Sequence, residues 1–243
     1  MGRVLGVIPA RWASSRFPGK PLALILGRPM IQWVWQACSR ATSLDELVVA
    51  TDDARIADAV QAFGGRVELT RADHESGSDR LAEVASRSDA ELLVNIQGDE
   101  PLMDSSVIDA VVAELRRDPQ CQCATAVTRF RNRAELESPD TAKVILDHDN
   151  RALYFSRAVI PFPRDGAPVL ESYHKHIGIY GYRPALLARL GSLSSTFEHI
   201  EKLEQLRLLE NGIAVRVARV SYQPLGVDRP EDIAAVEALL AHP

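Results

Sequence analysis

Hydrophobic residues in the first half of the chain form short continuous runs that alternate with segments of helical period. Strands are predicted at Val4–Ile8, Leu47–Ala50, Val67–Leu69, Leu92–Ile96 and Ala124–Val127, and helices near Met30–Arg40, Ala54–Phe63, Asp79–Ser86 and Ser105–Arg117. Continuous apolar runs are typical of strands that are covered on both faces. The alternation of strands and helices predicts an α/β fold with a mainly parallel central sheet flanked by helices.

The pattern changes after about residue 130. Further strands are predicted at Val144–Leu146, Ala152–Phe155, Ile177–Tyr182 and Ala214–Val220, and helices near Pro184–Leu190, Ile200–Glu210 and Pro230–Leu240. The Asx-rich turn of residues 147–150 predicts a hairpin between the first two of these strands. We therefore predict a single domain over residues 1–243, with a core of about 1–130 plus 213–243 and a smaller lobe of about 131–212.

Charge and cysteine content limit the possible partners and compartment. The 243 residues include 28 Lys plus Arg and 33 Asp plus Glu, a net charge of -5. This balance argues against nucleic acid as a partner, but it allows a small anionic ligand. Cys38, Cys121 and Cys123 fit neither a disulfide framework nor a metal site, so we expect reduced thiols in or near the core. The apolar run at Val4–Ile8 is too short for a signal peptide and is interrupted by Pro9 and Arg11, and no apolar run reaches membrane-spanning length, so we expect a cytoplasmic protein.

The loop after the first predicted strand carries three cations. Arg11, Arg16 and Lys20 lie among small residues whose backbone amides can approach a ligand closely. Ligands of parallel sheets bind beyond the carboxyl ends of the strands, and such a loop suits a triphosphate. The spacing is not that of a P-loop. A surface loop with solvated cations fits the charge pattern equally well.

Acidic residues follow the predicted strand at Leu92–Ile96 and precede the last predicted helix. Asp99 and Glu100 would lie at the ligand edge of the sheet, where carboxylates can bind Mg²⁺ together with substrate phosphates. A turn at the end of the strand is the alternative for this pair. A distant residue such as Asp228 can also complete a Mg²⁺ site. For Asp228 the structural alternative is stronger, because it stands where the N-cap of the last helix is expected.

The loop at Thr70–Arg80 lies between a predicted strand end and a helix start, at the same sheet edge. Its polar groups could contact a nucleotide base, and the guanidinium of Arg80 suits a phosphate or a carbonyl better than His74 does. In the alternative interpretation, Ser78 or Asp79 only caps the following helix.

Several motifs together resemble those of the sugar-acid cytidylyltransferases. They occur in the family's order from about residue 4 to about residue 236, at Pro9–Leu22, Thr70–Arg80, Gln97–Pro101, Ala152–Pro161, His174–Arg183, Phe197–Arg207 and Gly226–Asp232. Trp12 and Phe17 depart from the Tyr and Leu expected there, although both remain apolar. The resemblance implies a Rossmann-like nucleotidyltransferase fold of the GT-A type, in which the core binds nucleotide and the lobe binds the sugar and forms a homodimer.

The resemblance also implies a reaction and its residues. CTP and Kdo (3-deoxy-D-manno-octulosonate) would give CMP-Kdo and pyrophosphate for lipopolysaccharide synthesis, with Mg²⁺ as cofactor. Lys20, Asp99 and Asp228 would be catalytic, and the two aspartates would bind the metal. The implied nucleotide-binding residues are Ala10, Arg11, Ser14, Arg16, Lys20, Arg71, Ser76, Arg80 and Gln97.

For the sugar acid, a carboxylate and many hydroxyls call for an Arg or His with amide and carboxyl partners. The candidates in the matching motifs are Arg157, His176, Tyr180, Glu198 and Gln205. Glu198, Glu201 and Gln205 would share one face of a predicted helix whose Ile200, Leu203 and Leu206 must pack. That polar face could instead be solvated surface.

The sequence bears on three rival functions. The same chemistry could act on 8-amino Kdo or on a sialic acid, and the sequence does not separate these from Kdo. A non-catalytic nucleotide sensor is disfavoured because Lys20, Asp99 and Asp228 are all present. A dinucleotide-binding oxidoreductase is excluded because no G-x-G-x-x-G motif follows the first strand.

Overall fold

The computed structural model describes residues 2–13, 17–74 and 76–241. In chain order, its strands and helices are β1 (Val4–Ala10), β2 (Leu24–Ile25), β3 (Arg28–Pro29), α1 (Met30–Cys38), β4 (Glu46–Thr51), α2 (Ala54–Ala62), β5 (Val67–Leu69), α3 (Gly77–Ser86), β6 (Leu92–Asn95), α4 (Ser105–Arg117), β7 (Cys123–Thr128), α5 (Arg133–Glu137), β8 (Lys143–Leu146), β9 (Ala152–Ser156), β10 (Lys175–Tyr182), α6 (Pro184–Leu190), α7 (Phe197–Glu201), α8 (Leu206–Glu210), β11 (Val215–Arg219) and α9 (Ile233–Leu240). Short 3-10 turns lie at Lys20–Leu22, Leu170–Ser172 and Pro230–Asp232.

The chain forms two compact units, which are Met1–Asp109 with Pro224–Pro243, and Ala110–Gln223. The first unit contains a parallel sheet in the order β6-β1-β4-β5. Strand β1 is almost continuously buried, as expected for an inner strand with parallel neighbours on both sides. The α/β fold with a mainly parallel sheet is confirmed.

The second unit has a different strand pattern. Strand β7 pairs with β10 in antiparallel and with β11 in parallel orientation, and β8 pairs with both β9 and β10 in antiparallel orientation. The predicted hairpin is confirmed as β8–β9. In its turn, Asp147 Oδ1 accepts hydrogen bonds of 2.9 and 2.7 Å from the amides of Asp149 and Arg151. The boundaries predicted at about 130 and 213 differ from this division, and the role of the lobe stays a prediction.

Local capping explains where helix α2 begins and ends. Asp53 Oδ1 accepts the amide hydrogen of Arg55 at 2.9 Å and caps α2. The end of α2 is followed by Gly64 with φ of 80°, a left-handed conformation that glycine adopts without strain. Helix α2 therefore ends where the chain reaches this glycine.

The helix predicted at Ile200–Glu210 is wrong. The chain forms α7 and α8 instead, because Lys202 adopts a left-handed conformation with φ of 54° and donates its amide hydrogen to Glu198 O at 2.7 Å. Leu203 and Leu206 are buried as expected, but Ile200 is 72% exposed. The shared polar face inferred from a continuous helix is therefore absent.

The three cysteines are free and buried, as the sequence predicts. Burial, with the charge of Glu100 nearby, raises the pKa of the Cys38 thiol to about 12, so this thiol is unreactive at neutral pH. Among the described residues, the helices are too short or too polar to cross a bilayer.

Candidate functional site

Lys20 contacts two carboxylates and one carbonyl of the first unit. Its Nζ lies 2.7 Å from Asp99 Oδ2 and 3.7 Å from Asp228 Oδ1, and it donates a hydrogen bond of 2.9 Å to Val227 O. The lysine side chain is only 15% exposed, so water screens these charges less than at an open surface. The three residues predicted to be catalytic are therefore close together.

Backbone contacts bring these residues together. Val227 donates its amide hydrogen to Asp99 O at 2.9 Å, which fixes the segment containing Asp228 beside the end of β6. A Cβ at Gly98 would lie 2.8 Å from Pro9 O, so only glycine allows the chain after β6 to pass this close to the end of β1. Gln97 is partly buried in the same segment.

The donor set at Asp99 and Asp228 fits Mg²⁺. Both carboxylates already share one cation, the ammonium of Lys20. Among residues 2–13, 17–74 and 76–241, no group of three or more His, Cys, Asp or Glu side chains is arranged to hold a metal. Two carboxylates suffice for Mg²⁺ when substrate phosphates and water complete its coordination.

The interpretation of Asp228 as the N-cap of the last helix is wrong. The carboxylate that accepts hydrogen bonds at this helix start belongs to Asp232, whose Oδ2 is 2.8 Å from the amides of both Asp228 and Arg229. Arg229 occupies the cap position of the 3-10 turn. The Asp228 carboxylate, 55% exposed, is directed to Lys20 instead.

The loop after β1 is fixed at both of its described ends. Gly19, with φ of 71°, donates its amide hydrogen to Trp12 O at 3.0 Å, and a Cβ there would lie 2.9 Å from the Trp12 ring. The Arg55 guanidinium lies over the same ring at 3.4 Å. Ala10 is buried at the end of β1 and Arg11 is exposed. The predicted nucleotide contacts of Ser14 and Arg16 fall outside the described residues.

The loop before α3 contains a capping box. Ser76 Oγ accepts the amide hydrogen of Asp79 at 3.0 Å, and Asp79 Oδ2 accepts the amide hydrogen of Ser76 at 3.0 Å. The alternative that Ser78 or Asp79 is the cap is wrong, because Ser76 is the cap and Asp79 is its N3 partner. The predicted nucleotide contact of Ser76 stays a prediction.

Arg80 is buried, with 4% of its surface exposed. Its guanidinium forms an ion pair of 2.8 Å with Asp52 and donates hydrogen bonds to Thr70 Oγ1 and, at 3.5 Å, to Arg71 O. Arg80 therefore holds the backbone of the Thr70–Arg71 segment, and its predicted contact with the nucleotide is untested. Arg71 is largely exposed and pairs with Asp73 at 3.0 Å.

His74 forms a short hydrogen bond with Glu83. Burial acts to raise the pKa of Glu83, but hydrogen bonds from His74 and from the Arg71 amide outweigh it and lower that pKa below its ordinary value. Glu83 is therefore ionised at neutral pH, and its hydrogen bond ties His74 to α3.

In the second unit, backbone carbonyls surround Arg157. Its Nε donates to Glu201 O at 2.8 Å, its Nη1 to Pro139 O at 2.8 Å and its Nη2 to Lys202 O at 3.3 Å. Glu201 also binds the Arg157 amide at 2.9 Å. These bonds fix the guanidinium firmly, and they use donors that a sugar carboxylate would need.

Beneath Arg157 lies a fully buried lysine. Lys143 Nζ donates to Ser138 O at 2.7 Å, Thr141 O at 2.9 Å and Arg157 O at 2.8 Å. Burial, with the charge of Arg157 nearby, lowers the pKa of Lys143. This lysine joins the 138–141 segment to the backbone of Arg157, the sugar-site candidate.

His176 and Tyr180 lie side by side on β10, with ring centroids 5.5 Å apart. Burial lowers the pKa of His176 to about 3, so the imidazole is neutral at physiological pH. Burial, with Glu204 and Cys123 nearby, raises the pKa of Tyr180 well above its ordinary value, so its hydroxyl remains protonated. Both side chains can form hydrogen bonds with hydroxyls, but neither carries charge.

Glu198 and Gln205 have different environments. Glu198 accepts a bidentate pair from Arg207, with distances of 2.7 and 2.9 Å, which suits a structural role. Gln205 is 4% exposed, and its Nε2 has no hydrogen-bond partner among the described residues. A buried amide without a partner costs stability, so this donor is well suited to a bound ligand. The sequence predicts both residues as sugar ligands. The Glu198 carboxylate is paired with Arg207, whereas the Gln205 amide has an unpaired donor.

Several groups that shape these sites have no sequence signal. The carbonyl of Val227 is a backbone group, and Arg55 contacts the ring of Trp12 although the two residues are far apart in the sequence. Thr125, inside the buried strand β7, contacts the His176 imidazole. The contacts of these three groups are formed only in the folded chain.

Comparisons with known proteins identify the family of this chain. The cytidylyltransferase family model matches residues 5–219. Proteins named 3-deoxy-manno-octulosonate cytidylyltransferase from Syntrophotalea carbinolica and Syntrophobacter fumaroxidans are 52% and 51% identical, over 98% of this chain and 98% and 97% of their own.

Solved structures match as well. A structure of CMP:2-keto-3-deoxy-manno-octonic acid synthetase complexed with CTP has a TM-score of 0.93 at 43% identity and covers 98% of each chain. A 4-diphosphocytidyl-2C-methyl-D-erythritol synthase from Anaerococcus prevotii, with a TM-score of 0.68 and 16% identity, shares the nucleotidyltransferase fold alone. The chain belongs to the cytidylyltransferase family and, within it, to the 3-deoxy-manno-octulosonate cytidylyltransferases.

Proposed function

We propose that this protein transfers the CMP group of CTP to Kdo and releases pyrophosphate. The observation that carries the proposal is the arrangement of Lys20 with Asp99 and Asp228, in a chain whose relatives are named for this reaction. Phosphoryl and nucleotidyl transfer depend mainly on positioning and on charge stabilisation, and this arrangement supplies both.

The first unit supplies the nucleotide contacts in this proposal. Exposed Arg11 and partly buried Lys20 offer positive charge to the triphosphate, next to a backbone fixed through Trp12 and Gly19. Lys20 can exchange a carboxylate partner for a phosphate oxygen when CTP binds. Its bond to the Val227 carbonyl keeps the ammonium in place during that exchange.

We propose Mg²⁺ as the cofactor, held by Asp99 and Asp228. When bound there, Mg²⁺ would neutralise phosphate charge and lower the pKa of the attacking hydroxyl. The protein's own contribution is to hold the two carboxylates at one position, through the Val227–Asp99 backbone bond, and to keep the Lys20 charge nearby.

The second unit supplies the sugar contacts in this proposal. The buried amide of Gln205 lacks a partner, and a sugar oxygen would satisfy it. Tyr180 offers a neutral hydroxyl, and Arg157 is held in one orientation by carbonyls. Gln205 and Tyr180 are neutral hydrogen-bonding groups, which suit the hydroxyls of the sugar acid.

Three further expectations belong to the same proposal. The product would enter lipopolysaccharide synthesis. Free, buried cysteines fit the reducing cytoplasm. The homodimer is proposed on the family resemblance, through the lobe of about residues 131–212, and sedimentation of the purified protein would test it.

The experiment is to follow pyrophosphate release from CTP, Mg²⁺ and Kdo, with 8-amino Kdo and N-acetylneuraminate as parallel acceptors. We expect release that requires Kdo, CTP and Mg²⁺ together. Release with one of the other acids alone would keep the chemistry and change the acceptor. No release with any acceptor, from a protein that still binds CTP, would contradict the proposal and favour a nucleotide sensor.

A further inference from the structure

Strand β10 contains an irregularity next to the sugar-site candidates. Ile177 pairs with Ala126 on β7, but Tyr180 pairs with Thr125, so two residues of β10 are left without a partner on β7. Bulges of this kind redirect the side chains around them. The side chain of Thr125, which is fully buried, lies at this position.

The Thr125 hydroxyl has three neighbours but only one hydrogen. Its Oγ1 lies 2.7 Å from Ile179 O, 3.2 Å from Ile177 O and 3.0 Å from His176 Nε2. Carbonyl oxygens only accept hydrogen bonds, so the hydroxyl hydrogen goes to them, and first to Ile179 O, the nearer one. The imidazole nitrogen must then be the donor, since the hydroxyl has no second hydrogen to offer it.

This assignment fixes both nitrogens of the ring. An imidazole that donates from Nε2 and is neutral carries its lone pair on Nδ1. Burial keeps His176 neutral at physiological pH. His176 as a residue is half-buried, and within the described part of the chain its ring forms a hydrogen bond through Nε2 and none through Nδ1. Phe155 and Tyr180 contact the ring at centroid distances of 5.1 and 5.5 Å and restrict its rotation.

We propose that Thr125 is a positioning residue that holds His176 as the Nε2–H tautomer, so that Nδ1 accepts a hydrogen bond from a hydroxyl of the sugar acid. The proposal rests on the proposed function, because it assigns a specificity role within the same site. In this proposal His176 binds a hydroxyl of the sugar rather than its carboxylate.

The tautomer is measured first, without any substrate. Protein labelled with ¹⁵N at histidine is studied by long-range ¹H–¹⁵N correlation at pH 7, and His176→Gln assigns the ring. We expect Nδ1 to be unprotonated and Nε2 to carry the proton, and we expect Kdo to shift the Nδ1 resonance toward that of a hydrogen-bonded acceptor. A protonated Nδ1 in the free protein, or an Nδ1 resonance that saturating Kdo leaves unchanged, would overturn the proposal.

Kinetics then test Thr125 itself. Thr125→Val keeps the shape and removes the hydroxyl, and we expect the KM for Kdo to rise about five- to tenfold, the value of one hydrogen bond, while the KM for CTP stays unchanged. Thr125→Ser, which keeps a hydroxyl, should restore most of the loss. Equal increases in both KM values, or no rescue by serine, would overturn the positioning role.

Thr128→Val is the matched control. Thr128 lies on the same strand and is also buried, but its hydroxyl accepts from Gln223 at 3.2 Å rather than from the imidazole. We expect this variant to leave the His176 resonances unchanged. A protein that forms no CMP-Kdo would contradict the proposed function, whereas the tautomer measurement reads the Thr125 contact independently of turnover.

Discussion

Replacing Asp99 by asparagine tests the metal and lysine arrangement with the smallest change in shape. In the wild-type protein Lys20 Nζ lies 2.7 Å from Asp99 Oδ2. Asp99→Asn keeps an oxygen near this nitrogen but removes the negative charge. Lys20 keeps its bond of 2.9 Å to Val227 O and its pairing at 3.7 Å with Asp228. The fold around the lysine should therefore survive the substitution.

The expected stability and activity changes differ greatly in size. A hydrogen bond to a charged group is worth about 1 kcal/mol more than a neutral one, and the partial exposure of both side chains reduces this further. A full 1 kcal/mol would lower the Tm by roughly 2–4 °C in a chain of this length, so the expected decrease is smaller than this. Removing a metal carboxylate instead costs several kcal/mol in the transition state, so kcat should fall at least about 100-fold.

The assay is pyrophosphate release at saturating CTP and Kdo over a range of Mg²⁺ concentrations, with thermal unfolding of the same samples. Asp109→Asn is the matched control, because Asp109 is a carboxylate of the same unit that accepts hydrogen bonds from Thr42 and Ser43. We expect the control to lose stability and keep its kcat. Asp99→Asn that keeps activity within about threefold of wild type at saturating Mg²⁺ would refute the metal assignment.

Three further substitutions test the second unit. Gln205→Met should raise the KM for Kdo about tenfold yet leave the free protein at least as stable, because it removes an unpaired buried amide; a loss of more than about 1 kcal/mol on urea unfolding would contradict this. Lys143→Met should cost at least about 2 kcal/mol in the same unfolding assay, since three carbonyls lose their donor, and an unchanged midpoint would count against it. Glu135→Gln should reduce the loss of stability in acid. Burial acts to raise the pKa of Glu135, but the hydrogen bond from Lys175 at 2.5 Å helps lower that pKa below 4.5. The carboxylate therefore stabilises the fold above pH 4.5, and this contribution is lost as the pH falls through the lowered pKa. Unfolding free energies at pH 7 and below 4.5 check this, and equal acid sensitivity of variant and wild type would disprove it.

The sequence predicted the elements whose hydrophobic pattern is continuous. Strand β5 was predicted with its observed bounds, and β1 extends past the predicted Ile8 to Ala10, because backbone pairing with β4 continues after the apolar run ends. The break at Lys202 could not be predicted, since a left-handed lysine has no signature in the hydrophobic period.

The candidate site was predictable to a similar extent. Motif matches identified Lys20, Asp99 and Asp228, and the structure places them together. Motifs do not show which polar groups already have partners. For that reason Glu198, paired with Arg207, and Gln205, which has an unpaired amide, looked alike in the sequence.

Product analysis tests the central claim most directly. The protein is incubated with CTP, Kdo and Mg²⁺, and the products are identified by ³¹P NMR and mass spectrometry. The account predicts equal amounts of pyrophosphate and of a single phosphodiester that joins CMP to Kdo. CDP with a phosphorylated sugar, or unchanged CTP in the presence of a protein that binds it, would contradict the account.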